Sequence, residues 1–282
     1  MLRYSWLVIA FALSALSALP AIAESRRPWA PWQAVSTAGT LANRIAPPAG
    51  FERGATPPGS WATWLRELPL KPAGTPVRLH TGALKSLQSA HAAVIDIDVG
   101  AKDLQQCADA IMRLRAEWQW SAGRSHQIAF NYTGGGRVDY ARWSQGQRPS
   151  PDGKTWRPAS ASDVGYAAFR KYLEHVMIYA GTASLEKELK PVRIEDMAIG
   201  DVFIKGGFPG HAVLVIDQAR HPKSGETRFL LAQSYMPAQD IHILGNPASS
   251  DGSPWYAPDF GEHLATPEWT FARNALRRWP SP

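Results

Sequence analysis

Gly200-Asp201-Val202-Phe203-Ile204-Lys205, then Gly206-Gly207-Phe208-Pro209-Gly210, then His211-Ala212-Val213-Leu214-Val215-Ile216-Asp217 run on without a gap. Two short stretches of β-branched and aromatic residues flank five residues of glycine, proline and one phenylalanine, the pattern of two strands joined by a turn. Beyond the polar region 218–225, residues 228–233 read as a hairpin partner, and residues 239–244 as a fourth strand. Upstream, residues 91–99 set Val and Ile against Asp96 and Asp98 and read as one strand more, and residues 76–80 and 128–132 as shorter ones.

The helices lie mostly before this meander. Ser60 opens a short helix that ends near Pro69, with its hydroxyl placed as N-cap. Residues 103–118 carry Leu104, Cys107, Ala108, Ile111, Leu114 and Trp118 at helical spacing, and Asp103 with Gln106 forms a capping box at the start. Residues 162–180 give a second long helix stopped by Gly181, residues 184–189 a shorter one, and residues 270–279 a terminal helix. Helices followed by an antiparallel meander define an α+β fold, with one globular domain over residues 51–282. Residues 24–50 are rich in Pro and Ala and read as a loosely packed arm.

The first 23 residues read as a secretory signal peptide. Arg3 supplies the positive end, residues 6–19 the apolar run, and Ala21-Ile22-Ala23 the cleavage pattern. The apolar run is shorter than the roughly 20 residues that span a bilayer, and no later stretch reaches that length. The expectation is an exported protein, periplasmic or extracellular, without a transmembrane segment after cleavage. The net charge is +6, yet no dense Lys/Arg block exists, which argues against nucleic acid as a partner. Gly134-Gly135-Gly136 lacks the Lys-Ser/Thr of a phosphate loop. No His/Glu set at ligand spacing joins Asp96 and Asp98, so no metal and no cofactor is expected.

The chain has one cysteine, Cys107. An internal disulfide is therefore excluded, and three readings stand open: a core residue, an intermolecular bridge, or a reactive thiol. Cys107 lies near a helix start, where free N–H groups and the helix dipole favour a thiolate. His211 opens a strand after the glycine-rich turn, and Gln233 ends the next strand, where it can orient an imidazole. Nucleophile, base and orienting group make the logic of a catalytic triad. Asp217 competes with Gln233 as orienter by period-2 counting, and His242 and His91 compete with His211.

A cysteine on a helix, then Gly-Asp-Val-Phe, then Gly-His-Ala-Val-Leu-Val-Ile resembles the papain-like NlpC/P60 and CHAP hydrolases of bacterial cell walls. The resemblance implies a papain-like core, a helix packed on an antiparallel sheet, and acyl transfer on envelope amide bonds. Cys107 would attack, His211 would serve as base, Gln233 would align it, and Gln105 or Gln106 would help hold the oxyanion. Peptidoglycan or another envelope polymer is then the expected partner. The rival expectation is a non-catalytic envelope-binding or structural module, with some of the twelve tryptophans lining a groove.

A second resemblance covers most of the chain. Asp98-Val99-Gly100, residues 103–110, Tyr179-Ala180-Gly181-Thr182, residues 200–204, residues 209–213 and residues 231–239 are similar to bacterial exported proteins of the domain-of-unknown-function family 4846. This resemblance brings no activity with it.

Overall fold

A computed structural model describes residues 39–280. The signal peptide expected over residues 1–23 and most of the arm expected over 24–50 lie outside the described residues. From residue 39 onward the arm is packed: Leu41 is fully buried, and Arg53 donates to the carbonyl of Ala42.

The sheet strands are β1 (His91–Val94), β2 (Lys190–Pro191), β3 (Val202–Lys205), β4 (His211–Arg220), β5 (Thr227–Gln233), β6 (His242–Leu244) and β7 (Leu276–Arg278). They pair antiparallel in the order β1-β6-β5-β4-β3-β7-β2. The main helices are α1 (Trp61–Arg66), α2 (Cys107–Ser121), α3 (Tyr166–Tyr179) and α4 (Thr182–Glu188). The architecture is α+β, with a large antiparallel sheet.

Both faces of the sheet are covered, which is why β4 reads as an almost unbroken apolar run. Ala212, Leu214 and Ile216 join Ala108, Ile111 and Leu114 of α2 and Phe169 of α3 in one core. Val213 and Val215 face the other way, into a second core with Phe203, Phe229, Leu231, Leu264 and Phe271. The alternation breaks at one place. Val215 pairs with Leu231 but Asp217 with Leu230, so a bulge at Ile216 turns Asp217 onto the helix-bearing face.

The turn before β4 depends on glycine. Gly207 has φ +113°, and a Cβ on Gly210 would lie 2.4 Å from the Gly207 carbonyl and 2.5 Å from Thr182 Oγ1. The tight return leaves Phe208 96% exposed at the turn's tip.

The helix expected over residues 270–279 is absent. Thr270–Ala272 pairs with His263–Ala265 as a two-stranded ribbon, and β7 fills the gap between β3 and β2. Phe271 and Leu276 are buried on the same core, and two open sheet edges claim the backbone between which they sit, so tertiary pairing overrides the local pattern. The expected strand over 76–80 reduces to isolated bridges from Arg78 and Leu79. The helix over 103–118 starts later, at Cys107, and the one over 162–180 at Tyr166, while Ser162 donates to the Ser144 carbonyl.

Candidate functional site

Cys107 is the first residue of α2 and is 6% exposed. Its position follows from how the helix start is anchored. The Gln106 N–H donates to Asp109 Oδ2 at 3.1 Å, so the box forms one turn later than the expected Asp103–Gln106 pairing. Asp103 instead accepts from the Ala238 N–H at 2.7 Å and from Gln106 Nε2 at 3.1 Å. Ser234 Oγ, just past β5, lies 2.9 Å from the Gln105 carbonyl oxygen and pins the helix start to the sheet. β4 and β5 cease pairing at Leu214 and Ala232. The first turn of α2 meets the sheet at this opened end, where the Ala212 N–H faces the Cys107 sulfur together with the N–H groups of Cys107 and Ala108.

Those donors favour a thiolate, but burial opposes them and wins. Burial first, and the Asp109 carboxylate second, push the Cys107 thiol up to about 11. Burial likewise raises Asp109 to about 8.

His211 is 2% exposed, and its ring is held by a chain of side chains. Nε2 lies 2.8 Å from Gln233 Oε1. Gln233 Nε2 donates to Glu268 Oε2 at 2.8 Å and faces His242 Nε2 at 3.3 Å. The Glu268 carboxylate fixes the amide orientation, because a flipped amide would set its carbonyl against that anion. Gln233 Oε1 is then the acceptor, His211 Nε2 must carry the proton, and Nδ1 keeps its lone pair. His242 completes the set by donating from Nδ1 to the Asp240 carbonyl at 2.9 Å, which leaves its Nε2 to accept. The other Glu268 oxygen accepts from Lys85 Nζ at 2.6 Å, with Lys85 itself buried.

Aromatic rings surround the imidazole. Tyr235 stands edge-on at 4.8 Å between centroids, Trp269 is tilted at 5.4 Å and Phe271 stacks at 5.8 Å. Burial lowers His211 to about 4, with the Lys85 cation adding to it and the Gln233 bond opposing. Thiol and imidazole are therefore both neutral near pH 7.

The structure thus joins His211 to Gln233 and sets Cys107 against the backbone of Ala212. Among the described residues no hydrogen bond joins the thiol to the imidazole. Gln106 is engaged with Asp103. Gln105 accepts from Arg113 through Oε1, and its Nε2 is buried without a partner. Asp217 is not an orienter: it sits on the other face, fully buried, bound at 2.7 Å by both Arg53 and Arg66. His91 faces the carbonyls of Gln88 and Thr75. Asp98 is paired with Arg113 and Arg170, and the two guanidiniums outweigh its partial burial to hold it well below the usual carboxylate range. No group of three His, Cys, Asp or Glu among the described residues could hold a metal, and none of their helices is long and apolar enough to cross a membrane.

Glu268 and Lys85 were not visible in the sequence as site residues. Thr266-Pro267-Glu268-Trp269 has no periodic pattern, and Lys85 lies in a loop on the far side of the chain order.

Fold and site together define an α+β protein in which a buried thiol at a helix start lies against the backbone of Ala212, the residue after a tautomer-fixed histidine, on an antiparallel sheet. The chain belongs to the family described as domain of unknown function 4846, which matches residues 41–278. No curated protein and no solved structure matches it.

Proposed function

We propose that the protein is an exported cysteine hydrolase that cleaves amide bonds of the cell envelope through Cys107 and His211. The observation that carries the reading is the His211–Gln233–Glu268 chain, which holds Nε2 protonated and leaves Nδ1 free to accept a proton. A papain-like active site requires an imidazole prepared in this way. In the catalytic conformation the Cys107 side chain turns from the Ala212 N–H to His211 Nδ1. The sulfur then attacks the amide carbonyl as Nδ1 takes the thiol proton. His211 returns that proton to the leaving amine, and water hydrolyses the thioester. Because thiol and imidazole are neutral, proton transfer accompanies attack rather than preceding it. On this reading the N–H groups at the start of α2 stabilise the oxyanion. The signal-peptide pattern at the N-terminus supports substrates outside the cytoplasm, peptidoglycan above all.

The test is digestion of purified sacculi and muropeptides, with products resolved by mass spectrometry. The mature protein is expected to release new amine termini, and Cys107→Ala and His211→Ala to release none. Equal products from wild type and Cys107→Ala would overturn the proposal.

One observation favours a second reading, a non-catalytic envelope-binding module: Cys107 is buried and its thiol raised to about 11. On that reading the protein sediments with sacculi, does so equally as Cys107→Ser, and releases nothing.

A further inference from the structure

Two turns along α2 from Cys107, Arg115 is only 8% exposed. Its guanidinium lies over three indole rings, at 4.4 Å from the Trp118 centroid and 5.6 Å from those of Trp61 and Trp279. Among the described residues it has no carboxylate partner and no hydrogen bond. A buried guanidinium normally has an anion beside it, because desolvating the charge is costly. Here its neighbour is another cation: Arg124 lies over Trp118 at 3.9 Å, with its buried Nε also unpartnered. Burial and the Arg124 charge lower Arg115 to about 10, which still leaves it cationic at neutral pH.

Arg115 lines a cavity of about 610 Å³ whose rim carries Arg137 and Lys187 and whose walls include Trp279 and Phe130. One carboxylate, Glu188, lies in it. The Glu188 oxygens are taken by the Asn131 N–H and, at 3.9 Å, by Arg137, and burial raises the group to about 7. Arg115, Arg137 and Lys187 therefore line this cavity against one partly neutralised acid, with the Arg124 charge close behind Arg115. Positive charge is in excess along the lining, and its buried member, Arg115, has no anion beside it among the described residues. The walls add a preference, since indole and phenyl faces pack against the apolar face of a flat or pyranose ring.

We propose that this cavity binds a small oxyanion-bearing ligand, a carboxylate or phosphate carried on a ring, with Arg115 as the buried anchor and Arg137 and Lys187 closing over the anion. The site is independent of Cys107 and of the hydrolase reading. It has the makeup of a specificity or docking site rather than a catalytic one, because it holds no nucleophile.

The probes are inorganic phosphate, glucose 1-phosphate, glucuronate and neutral glucose, at ionic strength matched with sodium chloride. Binding is read by tryptophan fluorescence and by the rise in melting temperature that a native-state ligand must cause. Wild type is expected to respond saturably to at least one anion and not to glucose. A stronger response to glucose 1-phosphate than to glucuronate assigns the group as phosphate, and the reverse order as carboxylate. Arg137 and Lys187 are exposed, so Arg137→Ala with Lys187→Ala is expected to fold normally and bind about tenfold or more weakly. Arg115→Lys keeps the charge and loses the planar fork, and is expected to weaken binding likewise. Wild type that responds no more to the anions than to sodium chloride, or variants that bind as wild type does, would overturn the proposal.

Discussion

Replacing His211 by glutamine should change how stability depends on pH, and the size follows from burial. An unfolded chain protonates this histidine near 6.5, whereas the folded site holds it down to about 4. Between those values the unfolded state binds a proton that the folded state refuses, so the histidine's contribution is complete above 6.5 and is lost as pH falls toward 4. Each unit of that window is about 1.4 kcal/mol. At pH 5 wild type has therefore lost about 2 kcal/mol that it holds at pH 7.5, and His211→Gln has nothing there to lose. Asp109 and Glu188, raised to about 8 and about 7, act with the opposite sign. Both groups are present in both proteins, so their contributions cancel in the difference. The assay is urea unfolding of both proteins at pH 7.5 and pH 5. The stability gap between wild type and variant should shift by about 2 kcal/mol toward the variant at the lower pH. A gap that does not change would mean that His211 is hydrated or charged in the folded protein and is not a neutral base.

Glu268→Gln offers one carbonyl where Gln233 Nε2 and Lys85 Nζ both need an acceptor, so it should cost about 2 to 3 kcal/mol in urea unfolding at pH 7. A loss below about 0.5 kcal/mol would show that Glu268 does not hold the amide. Asp217→Asn removes the anion between Arg53 and Arg66 and should cost about 3 to 5 kcal/mol, seen as a lowered urea midpoint at unchanged slope; a midpoint within error of wild type would contradict a buried ion cluster. With its thiol raised from 9.0 to about 11, native Cys107 should react with iodoacetamide at pH 8 roughly 100-fold more slowly than in denaturant. Equal rates would mean that the thiol is open to solvent.

The sequence carried the strand around His211 because an unbroken apolar run rich in Val and Ile, bounded by glycine, leaves few other readings, and it carried α2 because the spacing from Cys107 to Trp118 is helical. Gln233 was readable as the last residue of a strand that pairs with β4. Asp217 was misread for one physical reason: the bulge at Ile216 adds a residue, and a single added residue reverses every face beyond it. Nothing local announces such a bulge. Glu268 and Lys85 were hidden differently, since each sits in a loop and gains its role only from contacts more than thirty residues away. The terminal segment misled because Phe271, Ala275 and Leu276 can be placed on one helical face as well as along an extended chain. The choice is made by open strands elsewhere in the molecule.

That borrowed strand, Leu276–Arg278, makes the sheet vulnerable from one end of the domain. β7 lies between β3 and β2 and follows directly on the short turn at Arg273–Ala275. Loss of β7 would leave α1 to α4 and the β3-to-β6 ribbon in the chain, but would expose the backbone edge of Val202–Lys205. An unprotected edge of consecutive apolar residues recruits strands from other molecules. Loss of a few residues near the end of this domain should therefore appear first as self-association rather than as unfolding.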